Sequence, residues 1–211
     1  MIGLAKTHLQ IRLNGRNLAT MILAFSILFG SGTVVANAGS YNRGQAVAYA
    51  DQWAHGRNPA YVDLSPNDCT NFISQAMNAG GLPQIGGGNK DDWAWWYSQT
   101  PTRGWSNSWS SAPDLNQHAS NYQGTRFTYS TPGNQGSGDF LLMSLNGTGL
   151  PSHGRVIVGW GSSQEQVDPN TSPPLGTWGL LADQHTTDRK RVIWNDGIPP
   201  GTPLWAWVVS W

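Results

Sequence analysis

Cysteine occurs once in 211 residues, as Cys69, so this chain has no partner thiol of its own for a disulfide. Glutamate also occurs once, as Glu165, and there is no His-Glu-x-x-His segment, which removes the usual helical signature of a zinc hydrolase. Charge is scarce too: 11% of residues are charged, against roughly 25% in ordinary globular proteins. No internal repeat and no break in composition marks a second domain.

Residues 1–38 read as a leader. Lys6, Arg12 and Arg16 precede an apolar run from Leu18 through Leu28 to Ala36, no acidic residue occurs before position 39, and the segment closes on Ala36-Asn37-Ala38. Basic flank, apolar middle and small-x-small end predict a secretory signal over residues 1–38, cleaved after Ala38. An uncleaved membrane anchor is the alternative, but Gly30, Ser31 and Gly32 interrupt the apolar run. The remaining 173 residues hold nine basic and twelve acidic side chains, a net charge of −3 that argues against a nucleic-acid partner. The expected product is a secreted monomer of one domain, residues 39–211, outside the cell or on its surface and with no membrane contact after cleavage. Exported proteins normally use cysteine in pairs, so a solitary cysteine points to chemistry rather than bracing.

Ala46, Val47, Ala50, Trp53 and Ala54 recur at helical spacing and predict a first helix over 41–55. A second should start at Asp68 or Cys69, capped by Asn67 or Asp68, carry Cys69, Phe72, Ile73, Ala76 and Met77 on one stripe, and stop at Gly80-Gly81. Residues 82–110, with five tryptophans, read as mostly loop, and 114–121 as a short helix. After Gly138 come short β-type runs at 140–145, 155–160, 178–182, 191–194 and 204–211. Helices first and strands afterwards predict an α+β fold with an antiparallel sheet.

A cysteine in the first turn of a helix meets unpaired N–H groups and the positive end of the helix dipole, which favour thiolate and predict a lowered pKa at Cys69. Such a nucleophile needs a base. His55 and His118 read as surface residues near helix ends, whereas His153 stands at the mouth of one strand and His185 just beyond the next. Cysteine, histidine and a third polar group that orients the histidine form the general nucleophile-base-orienter set.

The segments Tyr41-Asn42-Arg43, Arg57-Asn58-Pro59, Asn67-Asp68-Cys69-Thr70-Asn71-Phe72-Ile73-Ser74-Gln75-Ala76, Ala79-Gly80-Gly81, Ser152-His153 and Gln184-His185-Thr186-Thr187-Asp188 resemble the bacterial putative amidase domain. That domain is similar to the papain-like cysteine peptidases of the NlpC/P60 kind, whose motif also begins Asp-Cys, and Gly138-Asp139 resembles the pair that opens a strand in those enzymes. The resemblance implies a papain-like fold with N-terminal helices on a small antiparallel sheet, with Cys69 as nucleophile, His153 as general base and His185 as the orienting group. Asp183 and Gln184 lie beside His185 and are alternatives for that third place. The implied reaction is hydrolysis of an amide in an extracellular polymer, peptidoglycan first, with no metal and no other cofactor. Asn71, Ser74 and Gln75 read as helix contacts. Trp95 and Trp96 are the candidate walls of a substrate groove, because two consecutive tryptophans do not easily share one buried face.

Three other readings stand beside this one. An inactive, aromatic-rich module could hold a glycan or cell wall, with Cys69 merely structural. A zinc amidase would draw on His153, His185 and a carboxylate such as Asp139 or Asp183. A glycosidase would need a carboxylate pair, and nothing in the sequence picks one out.

Overall fold

The computed structural model describes residues 40–99 and 104–211; the expected signal segment, residues 1–38, lies outside them. Helix α1 spans Arg43–Trp53 and α2 spans Cys69–Ala79; two short helices follow, α3 Asn107–Ser110 and α4 Ala112–Asn121. A two-stranded ribbon joins β1 Tyr97–Ser98 to β2 Gly104–Trp105. The main sheet holds β3 Phe127–Ser130, β4 Phe140–Met143, β5 His153–Ser162, β6 Trp178–Gln184, β7 Arg189–Ile193 and β8 Leu204–Val209, in the order β3-β8-β4-β5-β6-β7. Every pairing is antiparallel, so the chain is α+β. Among the described residues no helix is long and apolar enough to cross a membrane.

Asn42 starts α1, its Oδ1 accepting the Gln45 N–H at 3.0 Å. Helix α2 is buried on every side from Cys69 to Met77, as expected of a helix at the centre of a domain. Its polar residues are matched by aromatic donors: Trp109 Nε1 donates to Asn71 Oδ1 at 2.8 Å, Trp95 Nε1 to Ser74 Oγ at 3.0 Å, and the Tyr49 hydroxyl to Gln75. The Trp-rich segment is therefore a second layer of core, in which Trp109 packs on Trp95, Tyr97 and Tyr61. Tandem tryptophans are accommodated by division, with Trp95 fully buried and Trp96 half-buried.

Alternation divides the sheet into two faces. Phe140, Leu142, Val156, Val158 and Leu181 meet Phe72, Ile73, Ala76 and Met77 of α2. Leu141, Met143, Ile157, Leu180, Ala182 and Ala206 form a second cluster, covered by Trp194, Ile198 and Leu204. One contact fixes how close α2 comes to β5: a Cβ at Gly154 would lie 2.5 Å from Ile73 Cδ1 and 2.8 Å from Leu142 Cδ2. Only glycine permits that approach, and Ile73 is one helical turn beyond Cys69.

Several elements depart from expectation, among them the β1–β2 ribbon inside the segment read as mostly loop and β5, which begins at His153 rather than Arg155. Strand β3 was not foreseen, because only Phe127 of its four residues is buried and the strand is held by pairing with β8. The seventh strand begins at Arg189 rather than Arg191, which sits in a bulge with φ +50° and donates its N–H to Asp183 Oδ1 at 2.7 Å.

Candidate active site

Cys69 is the first residue of α2 and 7% exposed. Around its sulfur stand the hydroxyl and N–H of Thr70, the Gly154 N–H of β5 and the Thr186 hydroxyl. All four favour thiolate, but burial outweighs them and pushes the Cys69 thiol up. The lowered pKa expected from the helix start alone is therefore corrected: desolvation, which needs the whole fold, overrides the local N–H groups.

Asp68 precedes it but does not cap the helix with its side chain. Its fully buried carboxylate instead accepts from Leu64 N–H at 3.2 Å, Asn71 Nδ2 at 2.7 Å and His185 Nδ1 at 2.6 Å, and lies 3.0 Å from Arg57 Nε. His185 Nε2 faces the Trp53 carbonyl at 2.8 Å, and the ring stacks on Phe72 with centroids 3.9 Å apart. His185 thus bolts the end of α1 to the start of α2. Both of its ring nitrogens are engaged away from His153, so it does not occupy the orienting place that the resemblance implies for it.

His153 opens β5 and is buried. Strand register decides its neighbour. Val156 lies opposite Asp183, so alternation places Asp183 and His185 on the α2 face and Gln184 on the face of His153 and Arg155. The Gln184 side chain faces the His153 ring, while its Oε1 accepts from Arg155 Nε at 2.6 Å. Burial, with the Arg155 charge beside it, depresses His153 to about 4 despite the contact with Gln184. Asp183 turns instead to the bulge and to Asp51 and Arg191, and burial raises it to about 7. Among the described residues, Gln184 is the polar side chain that the structure sets on His153.

Between nucleophile and base lies the turn His185–Asp188. Thr186 and Thr187 have φ of +63° and +61°, a left-handed pair that β-branched residues rarely adopt and that such turns usually fill with Asn-Gly. The turn is held from several sides. Gln184 Nε2 donates to the Thr186 and Thr187 carbonyls at 3.2 and 2.8 Å, the Thr186 hydroxyl donates to Pro66 O at 2.8 Å and accepts the Asp68 N–H at 3.2 Å, and Arg57 grips Asp188 through two contacts of 2.9 Å. Strain concentrated at one place and fixed by surrounding contacts is a mark of functional sites.

A cavity of about 250 Å³ opens beside this turn, lined by His153, Arg155, Gln184, Thr186 and Thr187 together with Ser152. Thr186 links it to the nucleophile, since its hydroxyl faces the Cys69 sulfur. Among the described residues no hydrogen bond joins Cys69 Sγ to the His153 ring; what brings them together is the Gly154 N–H, one residue on from the base. Register pairs His153 with Met143, on the face of β5 away from α2, so the ring is not set against the sulfur.

The other sequence candidates lie elsewhere. Trp95 is 0% exposed and belongs to the core, so it offers no groove wall. Trp96 donates its Nε1 to Asn89 O at 2.5 Å and packs under Lys90. His118, expected at the surface, is fully buried, with Nδ1 3.0 Å from Asp92 O and a pKa depressed by burial to about 4. His55 is half exposed and pairs with Glu165 at 2.6 Å. Asp139 is committed to Arg43 at 2.5 Å and to the Val209 and Gly136 N–H groups. Among the described residues no three metal-ligating side chains converge.

Residues 40–205 match the family described as "Putative amidase domain", and the chain belongs to that family. A relative in Bacillus subtilis (strain 168), named "Uncharacterized protein YhbB", is 37% identical over 120 residues, covering 56% of this chain and 37% of its own length. The chain thus spans little more than a third of that relative. No solved structure matches.

Proposed function

We propose that this member of the amidase family is a secreted, papain-like cysteine hydrolase that cleaves amide bonds in peptidoglycan or another extracellular polymer. The observation that carries the reading is the placement of the chain's one cysteine at the start of a buried helix, beside the strand that presents His153 and joined to the His153 cavity through Thr186. Family membership supports amide hydrolysis; the leader supports export.

With the Cys69 thiol pushed up and His153 depressed to about 4, both groups are neutral at rest. His153 then removes the thiol proton as sulfur attacks the amide carbon, giving a tetrahedral oxyanion next to the N–H groups of the first turn of α2. The same proton passes from His153 to the leaving nitrogen, the C–N bond breaks, and an amine departs from a thioester on Cys69. Water attacks the thioester, His153 takes its proton, the C–S bond breaks, and carboxylic acid and thiol are released. Gln184 holds the imidazole, in the way the third member of such sets does.

A second reading keeps polymer binding without turnover. Trp160 and Trp178 are 65% and 70% exposed on one face of the β5–β6 hairpin, a surface on which sugar rings can stack. One experiment separates the two. Purified protein is incubated with peptidoglycan and new amino groups are measured, with Cys69→Ala, iodoacetamide and a metal chelator as comparisons. Release that is lost in Cys69→Ala and after alkylation, and is untouched by the chelator, is the expected result. Undiminished release by Cys69→Ala sinks the cysteine mechanism, and retained sedimentation with the polymer without any release favours the binding module.

A further inference from the structure

Arg155 is fully buried, yet it forms no ion pair among the described residues. Its Nε donates to Gln184 Oε1 at 2.6 Å, Nη1 to the Trp194 carbonyl at 2.9 Å and Nη2 to the Asp196 carbonyl at 2.7 Å. Every partner is a neutral oxygen. The Asp196 carboxylate is turned to the Val167 N–H at 2.8 Å and acts on Arg155 only from a distance. Burial lowers Arg155 to about 10, so it remains a cation at neutral pH. A buried charge normally brings its counter-charge with it, because desolvation is otherwise uncompensated.

The cavity beside His153 completes the observation. Its lining is Leu145, Ser152, His153, Arg155, Val167, Gln184, Thr186, Thr187 and Gly197, which is one cation, no anion and three hydroxyls. The Ser152 oxygen accepts from the Leu145 N–H at 2.9 Å, which leaves its proton free to donate. Low-dielectric walls around an unpaired guanidinium focus positive potential into the space they enclose. By contrast, Arg57 is neutralised by Asp188 and Asp68 and Arg191 by Asp51; Arg189, opposite Gln184 in the sheet, also donates only to carbonyls but does not line the cavity.

We propose that this cavity is an anion subsite, and that the leaving amine of the substrate carries a carboxylate which the cavity receives beside Arg155. The assignment to the leaving side rests on the hydrolase reading above, in which His153, a wall of the cavity, delivers the proton to the departing nitrogen. The released product is then an amino acid or a peptide with a free carboxylate near its amine. Ser152 and Thr187 supply hydroxyl donors to the same group.

The test uses pairs of peptidoglycan stem-peptide fragments that differ only in carboxylate against carboxamide on the leaving side. Binding to full-length Cys69→Ala protein is measured by calorimetry, and cleavage by the wild type is followed separately. Because a hydrogen bond to a charged partner is worth roughly tenfold or more in affinity, the carboxylate member is expected to bind about tenfold more tightly. Arg155→Met should bring the pair within about twofold, and Arg155→Lys, which keeps the charge, should retain most of the difference. Should Arg155→Met fail to fold, salt decides on the unmodified arginine, since rising ionic strength should weaken the carboxylate member alone. Equal affinity of the two members overturns the subsite, even where both are cleaved. Selective binding without cleavage by the wild type overturns the hydrolase reading and leaves the subsite standing.

Discussion

Replacing Gly154 by alanine tests whether the contact of α2 with β5 sets the position of the nucleophile. The added carbon would lie 2.5 Å from Ile73 Cδ1 and 2.8 Å from Leu142 Cδ2, whereas carbon atoms rest comfortably at about 3.5–4.0 Å. One neighbour must retreat by about 1 Å, and both are fully buried. Overpacking of this kind costs about 1–3 kcal/mol, and the stiffer unfolded chain of alanine returns about 0.4–1 kcal/mol. A net loss of about 1–2 kcal/mol follows. Because Ile73 is one turn from Cys69, the same retreat moves the sulfur relative to the Gly154 N–H and His153, and a misplacement of about 1 Å can lower a rate about a hundredfold. Ile73→Val removes the nearer obstructing atom at a cost of about 0.5–1.5 kcal/mol. The double variant should therefore be more stable than the sum of the singles by about 1 kcal/mol, with recovery incomplete because Leu142 Cδ2 remains. Urea unfolding followed by tryptophan fluorescence gives the coupling, and amide release gives the rate. Additive stabilities, or a Gly154→Ala protein with unchanged rate, would refute this account of the site.

Cys69 alkylation by iodoacetamide should show a midpoint above the free-cysteine range, and Thr186→Val, which removes a hydroxyl that favours thiolate, should raise it further and slow the reaction at pH 7; a midpoint below that range contradicts the dominance of burial. His153 is depressed from 6.5 to about 4, so the unfolded chain binds its proton first as pH falls: stability should be full above about 6.5 and drop by about 3 kcal/mol on the way to 4. His153→Gln should flatten part of that slope in urea titrations, the remainder coming from His118, which shifts the same way, and an unchanged slope would count against the burial of the base. Asp183 has the opposite sign. Raised to about 7, it contributes most below about 3.8 and loses that contribution as pH rises through 7, so Asp183→Asn should raise the melting temperature at pH 8 relative to its effect at pH 5. Asp68→Ala leaves His185, Arg57, Asn71 and the Leu64 N–H facing a void, and should cost about 3–5 kcal/mol by thermal unfolding; a loss under 1 kcal/mol would show that Asp68 is dispensable.

The helix that carries Cys69 was legible because its stripe and its Gly80-Gly81 stop are local signals. His153 was legible because an isolated histidine directly before an apolar run stands at a strand end. The identity of its neighbour was not, since the choice among Asp183, Gln184 and His185 depends on which strand residue faces which, and a one-residue change of register reverses every side chain. Burial of the thiol was equally out of reach, because the helix-start N–H groups are read from sequence while the packing of β5 and the Thr186 turn over the sulfur is tertiary. Trp95 and Trp96 misled for a related reason: adjacent residues point apart, but which one turns inward is set by Ser74 and Trp109, far away in the chain.

The bond between His185 and Asp68 joins residues 117 positions apart, and Gln184, next in line to His185, holds the turn that touches the sulfur. A refolding chain can build α1 and α2 early, from local contacts, yet Asp68 and the Trp53 carbonyl then wait for β6 to arrive. Closing so long a loop is slow compared with forming a helix. The thiol's protection therefore depends on a contact made across nearly the whole domain, and loosening the β6–β7 hairpin should expose Cys69 to alkylation while α2 itself stays helical.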